Sequence, residues 1–100
     1  MFSKSFMFYE GDDYSVRIEY SPEYVILHLP YVNKFSKGVF QSMQCKVDDI
    51  YDFSKAMGRD TVWAAVSPDD AKVKKLLRLL DFEYKGSADG MNVYSYKGSK

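Results

Sequence analysis

The sequence predicts an α+β domain, an α/β mixed sheet whose elements run strand, strand, strand, helix, strand, helix, strand, strand. Three observations carry this. In "YSVRIEYS" the residues Tyr14, Val16, Ile18 and Tyr20 alternate with Ser15, Arg17 and Glu19, the period of a strand with one wet face. Met43, Val47, Ile50, Tyr51, Ser54 and Met57 then fall three or four apart, one face of a helix, as do Val73, Leu76, Leu77 and Leu80. Between these helices "TVWAAV", residues 61–66, lacks polar alternation, the pattern of a strand covered on both sides.

The remaining elements follow in order. "SFMFYE" is apolar enough for a first strand, and "EGDD" turns the chain into the second. After a turn at "SPE", the stretch "YVILHLPYV" reads as a central strand. Pro30 cannot donate to a sheet ladder, so this strand must bulge or lose its neighbour there. The first helix is expected from about Phe40 to Met57, with Cys45 small and half-buried on it and Gly58 as its stop. Ser67 or Asp69 is expected to cap the second helix, with Pro68 near its first turn. "FEYKG" and "NVYSYKG" form a hairpin around "SADG", and only the last few residues look loose. No linker or repeat interrupts residues 1–100, which are read as one domain.

Composition narrows the function classes. A chain of 100 residues hides roughly 65% of its unfolded surface, enough for a shallow core. The 17% aromatic share suits a small sheet-rich domain, and zero net charge argues against a nucleic-acid or membrane binder. One cysteine excludes an internal disulfide and fits a reducing compartment. The start, "MFSKSFMFYEGDD", reads as neither signal peptide nor membrane span, so the chain is expected in a cytosol. One His and one Cys cannot build a zinc site, and no phosphate loop of the "GxxxxGK" kind occurs. His28 is out of phase with Val25, Leu27, Leu29 and Tyr31 and shares a face with Ile26. It is expected as a hydrogen-bonded histidine at the core's edge rather than as a base or a partner to Cys45. The basic run Lys72, Lys74, Lys75 and Arg78 and the acidic group Asp48, Asp49 and Asp52 are read as solvated helix faces.

One constellation stands out: a strand broken at Pro30, the loop "NKFSKG", a helix, a strand, then "SPDD…LLRLLDFEY". It resembles the GNAT acyltransferases from their second strand to the C-terminus, most closely over 61–86, without the family's N-terminal strand and first two helices. The resemblance implies that the helix start holds the diphosphate of coenzyme A and that the broken strand offers its backbone to the pantetheine arm. Carried over by position, the cofactor residues would be Leu29, Tyr31, Lys37, Gly38, Val39, Phe40, Ser42 and Asp70. Lys37 and Gly38 match the family's opening basic-Gly pair. Phe40 falls where the family requires glycine, so its ring is expected to obstruct the diphosphate. Asp70 stands where Asn is usual, and Phe82 keeps the family's Phe. Asp81 takes the place of the glycine that ends the second helix, and Asp is among the few residues besides Gly that tolerate a left-handed turn. Leu77 occupies the place of the tyrosine that reprotonates the leaving thiolate in many members. No general base is assigned: Glu19 and Glu23 lie near the right strands without a clear claim.

Two readings follow. The preferred one is a non-catalytic domain with an eroded coenzyme loop and no cofactor, which binds a protein partner or a second copy of itself through sheet left uncovered by the missing helices. Its abbreviation is similar to that of small acyltransferase-like proteins encoded by tailed phages, which would place it in a host cytoplasm or a virion. The alternative is an acetyl-CoA-dependent N-acetyltransferase with an atypical loop.

Overall fold

Alternation and helical spacing are both realised where the chain carries them. A computed structural model describes residues 4–98; Ser99 and Lys100, part of the end expected to be loose, lie outside the described residues. Strands β1 (Lys4–Glu10), β2 (Ser15–Tyr20) and β3 (Val25–His28) form an antiparallel meander. Helix α1 (Lys37–Ala56) then leads to β4 (Val62–Val66), parallel to β3, and α2 (Ala71–Leu79) leads to the hairpin β5 (Glu83–Ala88) and β6 (Met91–Tyr96). The strands form one mixed sheet in the order β1-β2-β3-β4-β6-β5.

Several boundaries differ from expectation, each for a local reason. Helix α1 begins at Lys37 rather than near Phe40 because Ser36 caps it, its Oγ accepting the Val39 amide at 3.3 Å. Asp70, not Ser67 or Asp69, caps α2 by accepting the Val73 amide at 3.1 Å. Strand β3 stops at His28, and Val32 returns only as an isolated bridge to Tyr14. In the hairpin, Asp89 and Gly90 both adopt positive φ, 54° and 78°, the pattern of a two-residue type I′ turn. Ser87 and Ala88 therefore belong to β5 instead of its loop. Cys45 is exposed, not half-buried.

The core lies on one side of the sheet. Tyr14, Val16 and Ile18, Val25 and Leu27, Val62 and Ala64, and Tyr94 and Tyr96 pack with Met43, Val47 and Ile50 of α1 and Leu76 and Leu77 of α2. Both helices share that side: Tyr96 donates its hydroxyl to Asp48 of α1 and stacks on Phe82, just beyond α2. On the opposite side, register places Glu19, Ile26, Trp63 and Ser95 in one row and Arg17 and His28 in the next. Strand β4 is thus covered on one face only, and Trp63 and Ala65 are half-buried. Its unbroken apolar sequence reads as doubly covered, yet both helices serve the same face.

Candidate functional site

The site begins where two parallel strands part. Strand β3 pairs with β4 only at Ile26↔Trp63 and Leu27↔Ala64. Beyond that, β4 stays paired to β6 through Ala65↔Val93 and Val66↔Asn92, while β3 ends and the chain reaches exposed Pro30. The expected break is therefore a loss of the neighbour, and it leaves a fork between β3 and β4.

Helix α1 starts close in sequence to this fork. Ser36 engages the Val39 amide through its side chain and the Phe40 amide through its carbonyl. The amides of Lys37 and Gly38, in the first turn, have no intrahelical acceptor by helix geometry. Both residues are exposed, and a Cβ added at Gly38 would meet nothing within 4 Å. The helix dipole and these amides make an anion seat. A groove of about 180 Å³ lies alongside, walled by Val32 and Phe35 of the loop and by Lys72, Lys75, Leu76 and Leu79 of α2. Lys72 Nζ spans it to donate to the Val32 carbonyl at 2.9 Å.

The residues expected to hold coenzyme divide in two. Lys37 and Gly38 face open space at the helix start. Leu29 is half-buried against the core. Tyr31 turns to the other side of the loop, donating its hydroxyl to Gly11 O at 2.6 Å, and its carbonyl accepts the Ser15 amide. Val39 is buried in the core, and Ser42 shares a hydrogen bond with the Tyr14 hydroxyl. Asp70 is engaged as the cap of α2. The Phe40 ring packs against the core and edge-on to Phe35, with centroids 6.0 Å apart, and Phe35 rather than Phe40 lines the groove. The ring beside the groove is therefore that of Phe35.

Some of the site escaped sequence reasoning. Ser36 just before a helical run is a cap signal, and it sets the helix start ahead of Phe40. Phe35, Lys72 and Leu79 become groove walls only through the packing of α2 against the loop. At the fork, on the bare face, His28 Nε2 lies 3.0 Å from Glu19 Oε1, both side chains about a quarter exposed (23% and 27%). Register diagonals across β2 and β3 make that pair. Leu77 is 1% exposed within the core and carries no proton to give. Among the described residues no cluster of His, Cys, Asp and Glu could hold a metal, and no helix is long and apolar enough to cross a membrane.

Solved structures share this architecture. The N-acetyltransferase PseH of Campylobacter jejuni superposes with a TM-score of 0.60 at 18% identity, covering 86% of this chain and 60% of that one. The fold is GNAT-like. The same enzyme in complex with acetyl coenzyme A gives a TM-score of 0.59 at 21% identity, covering 84% and 60% of the two chains. The anti-CRISPR protein AcrVA5 matches at a TM-score of 0.61 and 17% identity, over 96% of this chain and 99% of that one. The present GNAT-like chain thus spans 60% of the length of the Campylobacter enzyme and nearly all of the anti-CRISPR protein. No protein-family model matches the sequence, and no curated protein does.

Proposed function

We propose that the domain is an acetyl-CoA-dependent N-acetyltransferase that binds its coenzyme between the fork and the start of α1. The observation that carries the proposal is a parted β3–β4 pair followed closely along the chain by a helix whose first two residues, Lys37 and Gly38, are exposed, with open space at Gly38. An acetyltransferase of the same fold binds acetyl-CoA. Lys37 and Gly38 would hold the diphosphate, Lys72 and Lys75 would flank it, and the backbone around Leu29 and Val66 would run beside the pantetheine arm. Acetyl-CoA supplies an activated thioester, and transfer to an amine proceeds largely by positioning. The groove is smaller than the roughly 300–1,000 Å³ of drug-sized ligand sites, so binding requires Lys72 to release the Val32 carbonyl.

One observation favours the non-catalytic reading: Lys72 and Val32, both walls of the groove, are already bonded to each other, while Leu77 supplies no proton donor. On that reading the bare sheet face would receive a protein partner or a second copy. Thermal melting separates the two. Acetyl-CoA at one hundred times its Kd adds about 2.7 kcal/mol, a rise of roughly ten degrees or more for a domain of this size. That rise is the expected result. No shift at millimolar acetyl-CoA would leave the binding module.

A further inference from the structure

The bare face carries a histidine–carboxylate pair at a telling place. His28 is the last residue of β3, one step beyond the final β3–β4 pairing at Leu27↔Ala64. By register it stands level with Ala65, a small residue, across the fork. Its ring is held by Glu19 at 3.0 Å, and its register partner on β2 is Arg17. Beside it on the same face lie Ile26, Trp63 and Val93, all half-buried.

We propose that His28, oriented by Glu19, takes the proton from the acceptor amine; this rests on the acetyltransferase reading above. A carboxylate only accepts hydrogen bonds, so the Glu19 contact keeps a hydrogen on Nε2 of the neutral ring and leaves the lone pair on Nδ1. An amine in water carries a proton and cannot attack. Nδ1 of the neutral ring, beside the apolar strip, receives the proton. The amine nitrogen bonds to the acetyl carbon, the carbon–sulfur bond breaks, and sulfur leaves with the electron pair. The attacking nitrogen's surplus proton then passes to that sulfur and the imidazolium returns its own proton to solvent, so ammonium and thioester yield amide, thiol and one released proton. Leu77 takes no part, and no second acid is required. Glu19 is a positioning residue.

Two measurements test this. In the coenzyme-free domain, ¹⁵N spectra of the His28 ring should show the neutral form protonated on Nε2, with that preference lost in Glu19→Gln; a neutral ring protonated on Nδ1 overturns the proposal. In the second, thiol release from acetyl-CoA is followed with a set of lysine-bearing peptides and with spermidine. His28→Gln should keep the acetyl-CoA melting shift, lose about 100-fold or more of the best turnover, and lose the rising limb of the pH–rate profile. Glu19→Gln should lose less. Turnover and pH profile unchanged in His28→Gln overturn the proposal, as does a parent that binds acetyl-CoA yet acetylates none of the amines. A parent without any melting shift refutes the acetyltransferase reading, and this proposal falls with it.

Discussion

Asp81 holds a left-handed backbone conformation, φ 71°, that most side chains avoid. The helix exit explains it. The Phe82 amide reaches back to Leu77 O at 2.9 Å and the Asp81 amide to Arg78 O at 3.1 Å, the paired bonds of a Schellman motif. Phe82 and Leu77, both buried, supply its hydrophobic contact. Helix α1 ends in the same way, with Gly58 at φ 85° and amides of Gly58 and Arg59 reaching Lys55 O and Ser54 O. The sharp stop directs Phe82 onto Tyr96, so an aspartate can stand where glycine would be easier. Since Asp81 is exposed, substitutions there report backbone strain. Asp81→Gly is expected to raise unfolding free energy by about 0.5–1 kcal/mol and Asp81→Ala to lower it by about 1 kcal/mol. Urea denaturation measures both, and the reverse order would refute the strain assignment. This turn was legible in the sequence, because few residues besides glycine tolerate it. The orientation of Phe40 was not: a family position specifies a residue, whereas packing on Phe35 and the core decides where its ring goes.

At the scale of elements, α1 is tied to the sheet by a polar bond as well as by its apolar face. The Tyr14 hydroxyl, beside β2, meets the Ser42 hydroxyl of α1, while the Tyr14 ring lies against Tyr9 with centroids 4.8 Å apart. Burial pushes the Tyr14 hydroxyl above its ordinary value, and the Ser42 bond opposes part of that rise. The folded state therefore keeps this proton to higher pH than the unfolded chain does. The associated stability is full below about pH 10, the unfolded value, and is lost as pH rises through the folded value. Urea midpoints measured from pH 8 upward should fall above about pH 10, and Tyr14→Phe should fall less steeply. Equal slopes would remove Tyr14 from the account. The existence and order of the elements were readable from period two in β2 and the three-to-four spacing of α1 and α2. Their ends were not, since Ser36 and Asp70 act as caps only through the direction of a side-chain oxygen.

Residues 4–98 form a six-stranded sheet with both helices on one face. That asymmetry separates the two proposed sites: the helix-covered side carries the start of α1 and the groove, and the bare side carries His28 and Glu19 beside an apolar strip. The fork between β3 and β4 joins them. Pro30 announced the fork in the sequence because it cannot continue a ladder, and Lys37 and Gly38 do open α1. The His28–Glu19 pair stayed hidden because its two members lie on different strands and meet only through register. The central claim is that the first turn of α1 binds the coenzyme diphosphate. Gly38 is the place to test it, since an added side chain meets nothing within 4 Å and an acidic residue in a first helical turn favours the helix dipole. Gly38→Asp should therefore melt at or slightly above the parent temperature when free. With millimolar acetyl-CoA it should lose the parent's rise of roughly ten degrees, because a carboxylate then occupies the seat. A Gly38→Asp domain that is stabilised by acetyl-CoA as much as the parent would contradict the account.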